Sequence, residues 1–358
     1  MHKYRHQILI GLFFISAVLI AVVLITGAGA LTERLRNFPL DLLAAVLALK
    51  VVNWALRYLE WRYFLGVIGV RTVRGLRQPP PPNPEAPTIR ERDSLVLWLS
   101  GLAMSISPGK LAEVLKALIL KHLSGIDFAR AAPVVFMERL VDGLAIIPMT
   151  TVAMLALGNT LETGEVSLRY VRAVLIGVTV VLGAGMVLVQ FRTLAERLLD
   201  MVSTWPLLRR IAEPLRTLYA SVYDLIKLRH LLPTVLLGIG AYSTDALGFT
   251  LILRGLGVAA SWQLLAQATF ILGFSVLVAS LSTLPGGAGG RDVTVGALLV
   301  GVVGLNKTDA GTGTFLIGLF QLWVGVVLAL VLIATFRRTL FPAALENEIQ
   351  AYENQRAA

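Results

Sequence analysis

Leu284-Pro285-Gly286-Gly287-Ala288-Gly289-Gly290-Arg291-Asp292 interrupts an otherwise apolar run from Ser261 to Gly304. Proline withdraws a backbone donor and glycine loosens a helix, so this run is not one plain helix. A second break of the same kind, Ser107-Pro108-Gly109-Lys110, divides the apolar region Ser94–Leu120. At membrane depth, freed backbone groups persist only where protein buries them or a wet cavity solvates them. Each region is therefore a broken full span or a re-entrant hairpin.

The surrounding chain makes a membrane the setting. Its 358 residues are 56% hydrophobic and 15% charged, against about 25% charged in ordinary globular chains, and the mean hydropathy is +0.76. The apolar residues come in long blocks, which excludes a soluble enzyme and a disordered chain. There is no cysteine, which excludes disulfides, thiolate catalysis and Cys-ligated metals. The four histidines, His2, His6, His122 and His230, show no metal-binding spacing, and no cofactor is expected. The net charge of +10 lies in short stretches between apolar blocks rather than on a polar domain, so it does not indicate nucleic acid.

A spanning helix needs roughly 20 apolar residues. Six stretches qualify: Ile8–Ala30, Leu40–Tyr58, Ala131–Leu157, Tyr170–Gln190, Leu231–Leu253 and Thr314–Phe336. The first has a basic start and small residues at its end, but it is too long for a signal h-region and reads as a retained helix. Basic loops then set the sides. Arg71, Arg74, Arg77, Arg90 and Arg92 fall in 71–93, seven basic residues fall in 191–230, Arg337 and Arg338 lie in the tail, and Lys3 and Arg5 at the start. All four stretches fall on the cytoplasmic side only if both broken regions are hairpins.

The expected fold is therefore an all-α polytopic membrane protein with about six full transmembrane helices and two Pro-Gly-tipped re-entrant hairpins. Span–hairpin–span occurs twice in opposite orientations, over about 40–157 and 231–336, an inverted repeat of the kind found in secondary transporters. Residues 1–340 form one membrane domain, with both termini cytoplasmic. Within it, 71–93 is a semi-rigid Pro-rich linker and 191–230 an amphipathic interfacial pair; 341–358 is a polar tail.

Charges in apolar surroundings mark the candidate site. Lys50 and Asp245 lie near the middles of corresponding spans and are opposite in sign. A charge there costs at least about 2.5 kcal/mol and is a functional hypothesis by default, so the two are expected to face one cavity and to pair. Lys110, Glu113, Lys116, Arg291 and Asp292 follow the hairpin tips, where backbone donors and helix N-termini suit phosphate. On a helix Glu113 and Lys116 share a face. The alternative for each tip is self-pairing that only closes a gap. Glu138, Arg139 and Asp142 open the third span. Arg57, Glu60 and Arg62, beside Trp54 and Trp61, read more simply as a charged and aromatic interfacial belt, as does Arg254.

Three of these pieces together resemble a known family: Pro108-Gly109-Lys110-Leu111-Ala112-Glu113, then Glu138-Arg139-Leu140-Val141-Asp142, then Pro285-Gly286-Gly287-Ala288-Gly289-Gly290-Arg291-Asp292. In this order and spacing, over about residues 8–340, they look like the flippase-like membrane domain of lysylphosphatidylglycerol synthases, the membrane half of bacterial multiple peptide resistance factors. The family's first motif usually reads Pro-Gly-Arg-x-Gly-Glu, where this chain has Lys110 and Ala112. Its Pro-Gly-rich motif usually ends in Arg-Glu, where this chain has Arg291-Asp292. Lysine grips phosphate as a point charge rather than as a fork.

The resemblance implies a stand-alone protein of the bacterial inner membrane that translocates lipid without synthesising it, since the aminoacyl-transferring domain is not in the sequence. The expected substrate is an anionic or aminoacylated phospholipid or a polyprenyl-phosphate-linked sugar, carried through a central polar cavity, with no nucleotide-binding loop to power it. A lipid synthase or glycosyltransferase is a possible partner. The competing readings are a membrane-embedded enzyme and an accessory subunit in lipid-linked glycan or aminoacyl-lipid synthesis.

Overall fold

The computed structural model describes residues 16–18, 20–24, 26–75, 82–104, 113–158, 169–193, 222–282 and 289–341, with single positions at 13, 106, 197, 284 and 287. The tips Pro108-Gly109-Lys110 and Pro285-Gly286, the proline run 79–81, most of 194–221 and the tail 342–358 lie outside the described residues.

The apolar blocks form helices, longer than the hydropathy alone delimits. The first is bent: α1 (Ser16–Leu24) and α2 (Ala28–Arg36) meet at 92° about Gly27, whose φ of +85° suits glycine. The described part of the helix expected over Ile8–Ala30 is this bent pair, which extends past it to Arg36. α3 (Leu40–Val67, 28 residues) runs nine residues past the expected end at Tyr58, because Leu59-Glu60-Trp61-Arg62 contains no breaker.

A short parallel pairing of β1 (Arg71–Val73) with β2 (Thr88–Arg90) closes the 71–93 linker into a loop. α4 (Glu91–Met104) and α5 (Val114–Ser124) flank the first break. α6 (Phe128–Leu157, 30 residues) and α7 (Arg169–Gln190) follow, then α8 (Leu228–Gly255). The second broken region is α9 (Trp262–Ser282) and α10 (Gly290–Leu298), the latter continued by a π turn over Leu299–Val303. α11 (Lys307–Thr335) contains a π segment at Leu319–Trp323, and α12 (Arg337–Leu340) ends the described chain.

Among the described residues five helices, α3, α6, α8, α9 and α11, are long and apolar enough to cross a membrane, six spans if the bent pair is one. α9 is among them. At 1.5 Å per residue its 21 residues extend about 32 Å, so the limbs of the second broken region are unequal.

Where the ends meet fixes the arrangement. The Tyr63 hydroxyl lies 3.0 Å from His230 Nδ1, and the Arg92 guanidinium stacks over Phe336. The end of α3, the start of α4, the start of α8 and the end of α11 therefore share one end of the bundle, which carries the basic 71–93 loop. α5 returns to that end, where the Asn83 N–H donates to the Ser124 carbonyl at 3.4 Å. The second region starts and finishes at the opposite end, since Gln267 Nε2, early in α9, donates to the Val302 carbonyl at 2.8 Å. The two broken regions thus have their ends at opposite ends of the bundle.

A small apolar cluster around Ile106 and Val326 and two large ones fill the interior among the described residues. One, near the linker end, gathers Trp61, Phe64, Leu97, Leu120 and Met137. The other gathers Met154, Phe249, Phe270, Ile271 and Leu316. Glycines on α8 let it close on its neighbours, with Gly238 against Val141 of α6 and Gly240 against Leu56 of α3. Val152, Val180, Val181, Leu236 and Val331 are exposed, giving the bundle an apolar exterior.

Candidate functional site

α3 carries the frame of the site. Lys50, Asn53, Arg57 and Glu60 recur at spacings of three, four and three, which puts them on one helix face. That face turns inward: Lys50 is 8%, Asn53 1% and Glu60 3% exposed. Over ten residues the file runs about 15 Å along the helix, from mid-bundle towards the linker end.

Each neighbour answers with charge or hydrogen bonds. Lys50 Nζ lies 3.0 Å from Asp245 Oδ1 of α8. Asn53 Nδ2 donates to the other Asp245 oxygen at 3.1 Å and to the Ala241 carbonyl at 2.7 Å. Arg57 lies over the Tyr242 ring at 4.7 Å and donates to Asp142 Oδ1 of α6 at 2.5 Å, which also accepts from the Tyr242 hydroxyl at 3.2 Å. Arg139 binds the second Asp142 oxygen at 2.8 Å and reaches Glu113, at the start of α5, at 3.4 Å. Lys116 of α5 pairs with Glu138 of α6 at 2.6 Å and lies over the Trp61 ring. Its stem passes Gly101 of α4, where an added Cβ would lie 2.7 Å from Lys116 Cδ. Arg139, its side chain 40% exposed, is the most open member.

The second hairpin is built differently. Arg291 donates to Asp292 Oδ1 at 2.8 and 3.2 Å, and Asp292 Oδ2 accepts the Gly289 N–H at the start of α10 at 3.1 Å. The pair is self-satisfied. It lines a small cleft with Val18, Thr314 and Gly318, whereas Lys50 and Asp245 line another with Ile317, Phe320 and Gln321. α11 and its π segment stand between the two. Such segments are frequent at functional sites. These two clefts lie on either side of α11.

The structure brings Lys50 and Asp245 together as expected, and Glu138, Arg139 and Asp142 with Glu113 and Lys116. The partners differ from the expected ones. Glu113 and Lys116 do not answer each other but brace separately against α6, and Glu138 and Asp142 serve different cations. Arg57 and Glu60, read from the sequence as an interfacial belt, face the interior instead. Arg62 does belong at the edge, 3.4 Å from Glu91, and Arg254 is exposed. Asn53 and Tyr242 went unread. The signal for Asn53, Arg57 and Glu60 was their spacing from Lys50; for Tyr242 it was only its place three residues before Asp245. Pro108, Gly109, Lys110, Pro285 and Gly286 lie outside the described residues, and Gly287, at the second tip, has φ +66°. Among the described residues no group of three or more His, Asp or Glu is placed to hold a metal ion.

An apolar exterior, helices broken inside apolar runs and a buried file of paired charges define a polytopic membrane protein with a polar interior. The chain belongs to the family described as the lysylphosphatidylglycerol synthase TM region, whose profile matches residues 8–329. That family is the membrane region of such synthases rather than their catalytic domain. No curated protein matches the chain.

Proposed function

We propose that this chain moves a phosphate-bearing lipid, an anionic or aminoacylated phospholipid or a polyprenyl-phosphate-linked sugar, across a cell membrane. The observation that carries this reading is the buried file Lys50, Asn53, Arg57 and Glu60 with its partners on α5, α6 and α8. A headgroup crossing about 30 Å of hydrocarbon must exchange its hydration for protein groups, and a file of exchangeable ion pairs supplies them. Arg139, half open and shared between two carboxylates, is the entry cation. Family membership supports a role connected with membrane lipid.

In this reading the hairpins α4–α5 and α9–α10 are re-entrant, and 40–157 and 231–336 are inverted repeats within one membrane domain spanning 1–340. The basic linker end faces the cytoplasm, with both termini, and an ion gradient or the lipid gradient itself, rather than a nucleotide, supplies the driving force. Loops 71–93 and 191–230 are the surfaces on which a lipid synthase or glycosyltransferase would dock.

The test is reconstitution in liposomes, following exchange of fluorescent phosphatidylglycerol and of a polyprenyl phosphate. Wild-type protein is expected to exchange at least one of them, and Arg139→Gln and Asp245→Asn to slow that exchange at least about tenfold, the effect of 1.4 kcal/mol. Exchange surviving both changes sinks the proposed path. Product formation without exchange establishes the enzyme reading.

A further inference from the structure

Glu60 is the member of the α3 file that nothing answers. It is 3% exposed, and among the described residues it makes no hydrogen bond or ion pair, with Oε1 buried and unpartnered. The charged groups around it are Arg57 on its own helix and Glu138, Arg139 and Asp142 on α6. All are engaged elsewhere: Arg57 and Arg139 hold Asp142, Arg139 also reaches Glu113, and Lys116 of α5 holds Glu138. α8 contributes the Tyr242 hydroxyl, which bonds Asp142. α4 keeps its charges at the linker end, Glu91 near Arg62 and Asp93 on Arg90.

Among the described residues, four carboxyl groups, Glu60, Glu113, Glu138 and Asp142, thus share three cations, Arg57, Lys116 and Arg139. A buried carboxylate without a partner takes up a proton rather than stay charged. Protonation of Glu60 brings the cluster to neutrality and removes the unpaired charge.

We propose that Glu60 is a proton-binding site whose affinity for the proton is linked to phosphate bound at Arg139 and Arg57. A phosphate there draws cationic charge away from the carboxyl groups and adds negative charge beside Glu60, so it strengthens proton binding. By reciprocity the proton strengthens phosphate binding. A lipid phosphate and a proton taken up together travel in the same direction, which makes the proton gradient a driving force. The proton comes from water on the loading side and is released to water on the other, with no other bond made or broken. The identity of the ligand and the transport step rest on the lipid-translocation reading; proton binding at Glu60 does not.

The test is infrared spectroscopy of the full chain in maltoside detergent, titrated with pH with and without phosphatidylglycerol. A carboxylic-acid carbonyl band is expected at neutral pH in the wild type. It should be absent from Glu60→Gln and displaced in Glu60→Asp, the second variant guarding against a misfolded first one. Phosphatidylglycerol is expected to raise the band's titration midpoint by about one pH unit, a tenfold linkage. No such band assignable to Glu60, or a midpoint that stays put or falls with the lipid, overturns the proposal. Failure of the translocation reading shows separately, as absent lipid exchange in liposomes, and leaves the infrared titration readable.

Discussion

The two broken regions share a design at the level of sequence, a Pro-Gly break followed by charged residues, yet they use their charges in opposite ways. The first gives its charges away: Glu113 and Lys116 reach across to Arg139 and Glu138 of α6. The second keeps them: Arg291 and Asp292 pair with each other, and Asp292 also caps its own helix. A charge that needs a partner on another helix ties its position to that helix, and it is exposed whenever the two separate. A self-satisfied pair travels as a neutral unit. The first broken region is thereby tied to the polar file of α3, while the second needs no partner on α11 for its charges.

The largest expected effect follows from breaking the first arrangement. Lys116→Ala leaves Glu138 buried, 7% exposed, and without its partner, and removes a cation from the face of Trp61. Removing one partner of a buried ion pair costs about 3–5 kcal/mol. Thermal or guanidinium unfolding in detergent should show the loss, and Lys116→Ala combined with Glu138→Gln should recover most of it. A single mutant within about 1 kcal/mol of wild type would mean that α5 is not braced through its charge.

Arg291→Ala should cost less, about 1–2 kcal/mol. Asp292 keeps the Gly289 N–H, and a carboxylate at a helix N-terminus is favoured by the helix dipole. Unfolding of the two mutants side by side is the direct measure. Equal losses would dissolve the distinction between the hairpins.

The sequence disclosed the parts of this contrast unevenly. The long apolar blocks announced α3, α6, α8 and α11, and Pro-Gly announced that the two remaining apolar regions are broken, since lipid leaves few ways to satisfy a backbone. Lys50 and Asp245 were legible because a charge at a span centre has few alternatives to a partner. Arg57 and Glu60 were not, because charges beside tryptophans near an expected helix end usually sit at an interface. α3 runs on to Val67 and carries them inward. Only the register from Lys50 distinguished the two readings. The bend at Gly27 was hidden inside an unbroken apolar run, and the self-pairing of Arg291 depends on rotamers that composition does not encode.

The smallest effect belongs to an ion pair outside the bundle, which calibrates the buried ones. Lys227 lies 2.5 Å from Asp224 just before α8, with the aspartate side chain 76% exposed. The hydrogen bond from Lys227 holds the Asp224 carboxyl below its ordinary value. Because the folded-state value is lowered, the pair contributes at pH values above the ordinary carboxylate range, and that contribution fades as pH falls through it. Solvent screens most of the attraction, so Asp224→Asn should change stability by less than about 1 kcal/mol at neutral pH and by nothing measurable in acid. Unfolding midpoints at the two pH values check both statements. A neutral-pH loss approaching that of Lys116→Ala would show that the linker end, rather than the buried pairs, holds the helices in register.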